Sequence, residues 1–169
     1  MLPTKPISRT RNKEEHSEQA KLILLVRNEL APKYPILRWL HSIPNGLFLH
    51  KSVAATMVNE GAKTGVADLF LPVQSVELIA KTFPISDPQK QLLNLNLDID
   101  FSKSKVTVEV LMPRYSGLYL EMKSKKGTHK QKQKEFADFV RSQGFKVVVP
   151  RSCDEALHEI LNYCGITLD

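Results

Sequence analysis

Two short apolar runs, each carrying one acidic residue, constrain this fold more than any other feature of the chain. They are residues 66–71 (VADLFL) and residues 117–123 (GLYLEMK). Short runs rich in branched and aromatic side chains predict strands that pack against a core. Aspartate is depleted in strands, and an acid in so apolar a run needs a partner, a metal ion or exposure near the strand's start. Asp68 and Glu121 are therefore candidate functional residues.

The second run places a carboxylate and an ammonium on one side of a strand. Side chains alternate across a strand, so Glu121 and Lys123 point the same way, opposite Leu118, Leu120 and Met122. The apolar face can then pack in a core while the other face presents the two charges. The alternative is an ordinary solvent-exposed ion pair at a sheet edge, worth at most about 1 kcal/mol.

The remaining pattern alternates between helices and strands and predicts a mixed α/β fold. Helices are predicted over residues 14–30, 53–60, 128–143 and 152–164; further strands are predicted over residues 36–41 and 47–50, around a turn at residues 44–46, and over residues 145–149. The third helix is expected to open with a capping box of Thr128 and Gln131, and the fourth with one of Ser152 and Glu155. Gly165 is expected to stop the fourth helix.

A chain of 169 residues with 42% hydrophobic residues can bury one sizeable core. We expect a flexible basic leader at residues 1–12 and a single domain over residues 13–169, with an irregular insertion at about 74–112 that ends in a strand.

Cys153 and Cys164 fall in one predicted helix, about 16 Å apart, so they are expected to be reduced. With no apolar run near the length of a membrane span and no secretory signal, we expect a soluble, cytoplasmic protein without a membrane partner.

The charge of the chain points to a polyanionic partner. The formal net charge is +6, and six lysines crowd into twelve residues beside the Glu121 run. They are Lys123, Lys125, Lys126, Lys130, Lys132 and Lys134. A solvated helix face is the competing interpretation.

Two further polar residues lie on faces that should be apolar. Glu18 falls on one helical face with Leu22 and would lean toward the core, although the dipole at a helix N-terminus also favours a negative charge there. Gln133 continues the apolar stripe of Phe136 and Ala137 in the predicted third helix. It could bond a metal-bound water or a phosphate, or simply the backbone.

In their order along the chain, these motifs resemble the VRR-NUC domain of the PD-(D/E)xK nuclease superfamily. The resemblance rests on Glu18, the segments GVADLFLP (65–72) and GLYLEMK (117–123), Gly127 followed by Gln133, the segment FKVVV (145–149), Ser152-x-x-Glu155-Ala156 and the turn IPNG (43–46). It covers roughly residues 14–73 and 113–165. The chain departs from the family in the length of the stretch 74–112, whose role is open and could be dimerisation or DNA gripping, and in Ala67, which replaces the proline of the superfamily motif.

The resemblance implies a restriction-endonuclease-like core, with a small mixed sheet flanked by helices, and a metal-dependent site. It assigns catalysis to Asp68, Glu121, Lys123, Glu18 and Gln133. It implies one or two Mg²⁺ or Mn²⁺ ions held by Asp68, Glu121, the backbone carbonyl of Met122, and Glu18 directly or through water. The lysines expected to clamp DNA are Lys63, Lys125, Lys126, Lys130, Lys132 and Lys134.

The implied activity is hydrolysis of DNA phosphodiester bonds, and small stand-alone members of the family, from phages and bacteria, resemble Holliday-junction resolvases. We therefore expect a structure-selective endonuclease that cuts four-way junctions as a homodimer in a bacterial or phage-infected cell. One alternative is a nuclease for flaps or linear duplex DNA, of repair or restriction type. Another is a non-catalytic basic DNA-binding module, although binding has no use for acids aimed at phosphate.

Overall fold

The computed structural model of the protein describes residues 9–44, 56, 59–84 and 105–168. Residues 1–8 of the expected leader, the predicted strand at 47–50, the end of the turn before it and most of the predicted helix at 53–60 lie outside these ranges. Within them, no helix has the length and apolar character needed to cross a bilayer.

The described residues form three α-helices and six strands in a mixed order. The helices are α1 (Arg9–Leu25), α2 (Gln131–Ser142) and α3 (Cys153–Cys164). The strands are β1 (His41–Ser42), β2 (Leu69–Leu71), β3 (Ser75–Pro84), β4 (Lys105–Tyr115), β5 (Leu118–Leu120) and β6 (Lys146–Val148). A π-helical turn, Val26–Leu30, continues α1, and a 3₁₀ helix spans Pro35–Trp39.

Four of the strands form a small mixed sheet in the order β1-β2-β5-β6. The pairs β1-β2 and β2-β5 are antiparallel, whereas β5 and β6 are parallel and joined through α2. A parallel pair needs a long crossover connection, which α2 supplies. The predicted α/β fold, with a small mixed sheet flanked by helices, is confirmed.

One face of this sheet carries the hydrophobic core. Leu69 and Leu71 of β2 and Leu118 and Leu120 of β5 are fully buried, and they pack with residues of α1 and α3. The helical part of this cluster includes Leu22, Val26, Leu30, Ala156 and Ile160. Burying each large aliphatic side chain contributes roughly 1.5–3 kcal/mol, so this face provides the main hydrophobic stabilisation of the sheet.

The opposite face is aromatic and lies under α2. Phe70 and Tyr119, opposed in the register of β2 and β5, stack with ring centroids 4.4 Å apart. Phe136 of α2 meets Tyr119 edge-on at 5.3 Å, and Phe145 lies 5.5 Å from the same ring. A Cβ on Gly117 would lie 2.8 Å from the Phe70 ring, so this close approach requires glycine. The aromatic contacts fix α2 above the sheet.

Residues Val76–Arg114 form a compact unit of their own, in which β3 and β4 make a two-stranded sheet. The hydroxyls of Thr82 and Thr107 are 3.0 Å apart, and Arg114 lies 3.8 Å from Glu77. The strand expected at the end of the insertion is present as β4. The insertion also begins with a strand, β3, where irregular chain was expected. The division into a leader, one domain and an insertion stays a prediction.

The boundaries of the first helical region differ from the sequence prediction. The helix starts at Arg9 rather than residue 14, and it reaches Leu30 as predicted through a π turn, in which the Ala31 N–H donates to the Val26 carbonyl at 2.7 Å. The predicted strand at 36–41 is wrong over residues 36–39, because Pro35 opens a 3₁₀ helix there; only His41 lies in a strand, β1. Proline favours a helical first turn, since its φ is fixed and it has no N–H to satisfy.

The closing helix follows the prediction, except that the Glu155 carboxylate accepts the Arg151 N–H, at 2.6 Å, and not the Ser152 N–H of a full capping box. The Ser152 hydroxyl accepts the Glu155 N–H at 3.1 Å, and Gly165, at φ +64°, ends α3. The two cysteines of this helix, Cys153 and Cys164, are free thiols as expected.

Candidate active site

Asp68 and Glu121 lie side by side at the ends of two paired strands. Leu69 of β2 is opposed to Leu120 of β5, so the next pair along this register is Asp68 and Glu121. Opposed residues in an antiparallel pair point to the same face. The Asp68 carboxylate turns onto the neighbouring strand, where its Oδ2 accepts the Met122 N–H at 2.8 Å. The structure therefore brings together the two acids singled out in the sequence.

The backbone beyond β5 fixes the positions of Glu121 and Lys123. The Glu121 N–H donates to the carbonyl of Val148, and the Lys123 N–H to that of Pro150, both at 3.0 Å. Hydrogen bonding to the β6 side therefore continues past Leu120. It keeps the two charged side chains on the same face of the sheet.

The Glu121 and Lys123 pair is buried, with exposed fractions of 2% and 8%. The Lys123 ammonium donates to Glu121 Oε1 and, at 3.1 Å, to the Met122 carbonyl. The alternative of a solvent-exposed ion pair at a sheet edge is wrong, because β5 lies between β2 and β6. Removing one partner of a buried pair leaves the other uncompensated, at a cost of about 3–5 kcal/mol.

Gln133 connects the first turn of α2 to the same carboxylate. Its Nε2 donates to Glu121 Oε1, and its Oε1 accepts the Lys130 N–H at 3.0 Å. The predicted cap of Thr128 and Gln131 is wrong, because the helix starts at Gln131 and Lys130 takes the N-cap position. A capping glutamine lies three residues after the N-cap, which makes Gln133 both the cap and a partner of Glu121.

Glu18 is not brought into this group. Its Oε2 accepts the Cys153 N–H at 2.8 Å, at the N-terminus of α3, and its Oε1 pairs with Lys21 at 2.6 Å. The hydrogen bond from Lys21, and then the one from the Cys153 backbone, lower the pKa of Glu18. Its carboxylate therefore joins α1 to α3, and the expected metal-binding and catalytic role of Glu18 stays a prediction.

Glu15 is the acid of α1 that faces the site. Its Oε1 accepts the Ser124 N–H at 3.0 Å, directly after Lys123, and its charge contributes to raising the pKa values of Asp68 and Glu121. Glu15 is not among the site residues predicted from the sequence.

A signal for Glu15 is present in the sequence. Leu22, Val26 and Leu30 form the buried stripe of the first helical region, at intervals of four residues. Extended toward the N-terminus by helical periodicity, this stripe reaches both Glu18 and Glu15. Helical periodicity therefore predicts that both acids lie on the buried face, but it does not predict which of the two approaches Asp68.

The two central carboxylates resist being charged together. Burial, and then repulsion from Asp68, raise the pKa of Glu121 to about 7, although Lys123 acts in the opposite direction. Burial also raises the pKa of Asp68; Lys123 and the hydrogen bond from Met122 lower it, and Glu15 raises it. A position where a buried and a half-buried carboxylate repel each other favours a bound cation.

We predict that the effect of Glu121→Gln on the stability of the metal-free protein shifts toward stabilisation as the pH rises. Because the folded state holds the Glu121 proton more tightly than the unfolded chain, the stability linked to this proton is full below about pH 4.5 and is lost as the pH rises through about 7. The free energy of unfolding of the variant, relative to wild type, should rise by about 3 kcal/mol across this window. Urea unfolding in EDTA at several pH values measures the difference, and Glu135→Gln on the exposed side of α2 is the control. A difference that stays constant with pH would contradict the pKa assignment.

The donor set fits a hard divalent cation. In the described ranges, no three His, Cys, Asp or Glu side chains converge closely enough to bind a metal ion by themselves. Asp68 and Glu121 nevertheless supply adjacent carboxylate oxygens, and Mg²⁺ is commonly bound by one or two carboxylates together with waters and substrate phosphates. The Met122 carbonyl, the predicted backbone ligand, accepts the Lys123 ammonium at 3.1 Å and retains a second lone pair. These two carboxylates are the residues that would hold the ion.

The lysines expected to bind DNA are all exposed. They are Lys63, Lys125, Lys126, Lys130, Lys132 and Lys134. The loop that carries Lys63 contacts the first turn of α2, because a Cβ on Gly65, at φ +90°, would lie 2.8 Å from the Lys132 Cβ. Lysines from separate parts of the sequence are therefore neighbours at the N-terminal end of α2.

A solved structure described as a VRR_NUC domain protein is similar to this chain. The TM-score is 0.57 at 17% sequence identity, and the alignment covers 90% of this chain and 89% of the other. No protein-family model and no curated protein matches the chain. The structural similarity agrees with the resemblance of the sequence motifs and shows a shared fold.

Proposed function

We propose that this chain belongs to the VRR-NUC family and is a nuclease that hydrolyses DNA phosphodiester bonds with Mg²⁺ or Mn²⁺. The observation that carries the proposal is the placement of Asp68 beside Glu121, with the Lys123 ammonium held against Glu121. A purely structural arrangement gains little from two repelling acids at this position. A site for a cation and an anionic substrate accounts for both the acids and the lysine.

Each residue of the group has a distinct task in this proposal. Asp68 and Glu121 hold the divalent ion, which when bound supplies Lewis-acid activation of the phosphate and of the attacking water. Lys123 offers a preorganised positive charge to the negative charge that develops on the phosphate. Gln133 fixes the orientation of the Glu121 carboxylate, and Glu15 adds negative potential beside it.

The exposed lysines would bind the DNA backbone without reading its sequence, because phosphates carry no base information. We predict that Lys125→Ala combined with Lys126→Ala lowers DNA affinity and reduces the slope of log affinity against log salt by about 1.8, or about 0.9 for each lost phosphate contact. Fluorescence anisotropy with labelled duplex DNA at several salt concentrations measures the slope. The control is Lys33→Ala, which lies beyond the end of the first helical region that is far from Glu15. It should leave the salt slope unchanged. An unchanged slope in the double variant would remove these lysines from the DNA-binding surface.

Among DNA substrates, we favour four-way junctions cut by a homodimer, as in the stand-alone proteins that the sequence motifs resemble. A junction has two strands to cut and one domain of this size offers one site, so a symmetric dimer supplies the second. A nuclease for flaps or linear duplex would use the same site and would differ in substrate geometry. The paired acids Asp68 and Glu121 disfavour a non-catalytic module, since binding phosphate alone needs only positive charge.

A substrate panel tests the proposed function. The protein is incubated with labelled four-way junction, flap and linear duplex DNA in Mg²⁺, Mn²⁺ or EDTA, and its oligomeric state is measured by light scattering. We expect cleavage that needs the divalent ion and is fastest on the junction. Cleavage that persists in EDTA would exclude the metal-dependent mechanism. Equal cutting of all three DNAs would exclude junction selectivity, and a monomer at working concentration would count against the dimer.

A further inference from the structure

The turn that follows the candidate active site is held from two sides by charged side chains. This turn, residues 124–127 (SKKG), is called the lysine loop below. On one side, Glu15 of α1 accepts the Ser124 N–H at 3.0 Å. On the other side, Arg151, just before α3, donates to carbonyls of the loop. Glu15 and Arg151, an acceptor and a donor from distant parts of the chain, thus both hydrogen-bond to the backbone of the same four residues.

The contacts of Arg151 are concentrated on one atom. Its Nη1 donates to the carbonyls of Ser124 and Lys125 at 3.0 Å each and to that of Gly127 at 3.1 Å. A charged guanidinium makes stronger hydrogen bonds than a neutral donor, and the two N–H groups of Nη1, shared among three carbonyls, restrain the path of the loop between them. The exposed Lys125 and Lys126 side chains belong to the same short loop.

The inside of the loop leaves little room for a side chain at Gly127. A Cβ on Gly127 would lie 3.1 Å from Glu15 Oε1 and 3.1 Å from both the carbonyl and the hydroxyl of Ser124. The Ser124 side chain is buried, and the Gly127 N–H closes the turn onto the Ser124 carbonyl at 2.8 Å. The loop is therefore a defined structure rather than a generic surface turn.

The same segment that carries Arg151 also holds the residue before the loop. The Lys123 N–H donates to the Pro150 carbonyl at 3.0 Å, and the Arg151 N–H donates to Glu155 Oε2 at 2.6 Å, within the first turn of α3. Arg151 is thus anchored to α3 while its side chain reaches the loop. A displacement of the loop would be transmitted directly to Lys123, the neighbour of Ser124.

We propose that Arg151 is a positioning residue for the active site: it fixes the lysine loop so that Lys123 stays on Glu121 and so that Lys125 and Lys126 present their charges to DNA. This inference rests on the proposed nuclease function. Arg151 acts through the loop backbone, and its role differs from that of the lysines that contact phosphate. A misplacement of about 1 Å at a reacting group can cost a hundredfold in rate, so loss of this grip should affect catalysis more than stability.

The test compares Arg151→Gln, Arg151→Lys and the control Arg141→Gln in the full chain. Arg141 is an exposed arginine of α2 that bonds Asp138 and the Val147 carbonyl, outside the proposed site. We expect Arg151→Gln to lower the single-turnover cleavage rate about tenfold and to speed hydrogen exchange in the peptide that covers residues 123–128. Arg151→Lys should recover most of the rate, because an ammonium carries three donors for the three carbonyls. Arg141→Gln should change neither measurement.

A double-mutant cycle separates positioning from direct contact with DNA. In metal-free buffer, Arg151→Gln alone should weaken DNA binding about threefold. The same substitution should have no effect on binding when Lys125 and Lys126 are already alanine, since the free-energy effects of coupled residues are not additive. An equal loss in both backgrounds would show that Arg151 contacts DNA itself and would overturn the proposal. Normal cleavage and normal exchange in Arg151→Gln would overturn it while leaving the nuclease function intact. A wild-type protein that neither binds nor cuts DNA would overturn both.

Discussion

Replacing Asp68 with asparagine should reduce DNA cleavage by at least about a thousandfold, which corresponds to roughly 4 kcal/mol of lost transition-state stabilisation. Asparagine keeps an oxygen that can accept the Met122 N–H, the one hydrogen bond of the Asp68 carboxylate in the described part of the chain. It removes the charge that would help to hold the divalent ion. The rate is measured under single turnover with the preferred DNA from the substrate panel and saturating Mg²⁺.

Binding and folding provide the controls for this variant. In EDTA, Asp68→Asn should bind DNA as tightly as wild type or more tightly, because one negative charge beside the phosphate is gone. The exposed Asp138→Asn, on α2, should cut at the wild-type rate. If Asp68→Asn is folded and cuts normally, the assignment of Asp68 to the site is wrong.

Replacing Lys123 with arginine should reduce the cleavage rate about a hundredfold while leaving DNA affinity nearly unchanged. The substitution keeps the positive charge but replaces a compact ammonium by a planar fork, in a position that is only 8% exposed and enclosed by Glu121 and the Met122 carbonyl. The larger head group must shift from the point where the ammonium meets the phosphate. Single-turnover rates and separately measured dissociation constants divide the effect between catalysis and binding.

Lys130→Arg is the matched control for Lys123→Arg, because Lys130 is exposed and its proposed role is contact with phosphate. Its cleavage rate should remain within about twofold of wild type, since arginine also pairs with phosphate. Equal rates for the two variants would show that a positive charge at position 123 is sufficient. The proposed compact geometry around Lys123 would then be wrong.

The shared face of Glu121 and Lys123 could be predicted from local sequence, because side chains alternate along the extended chain, whose hydrogen bonding continues past the end of β5. Their burial could not. It depends on β5 lying between β2 and β6, and these partners come from distant parts of the chain. The pairing of Asp68 with Glu121 likewise depends on a register between residues more than fifty positions apart.

The two acids of α1 show where periodicity stops being informative. Glu15 and Glu18 are three residues apart and both extend the buried stripe, so the sequence cannot rank them. Their contacts decide: Glu18 reaches Cys153, at the start of α3, whereas Glu15 reaches Ser124, beside Lys123. Each of those partners lies more than a hundred positions away in the chain.

Capping explains the remaining error near the site. Thr128 with Gln131 satisfies the local capping pattern, yet the helix starts at Gln131 because Gln133 caps it and also bonds Glu121. Gln131 and Gln133 could each serve as the capping glutamine by local sequence. Gln133 takes this position because it also makes the tertiary contact with Glu121. Pro35 is a similar case, since its fixed φ suits the first turn of a helix and favours the 3₁₀ helix over the predicted strand.

A crystal structure grown with Mn²⁺, with anomalous diffraction recorded at the manganese edge, tests most directly whether the two central carboxylates share a cation. We expect one strong anomalous peak within coordination distance of both Asp68 and Glu121, and its loss in Asp68→Asn. Full occupancy of manganese elsewhere on the chain, with no peak between these two carboxylates, would contradict the proposed site.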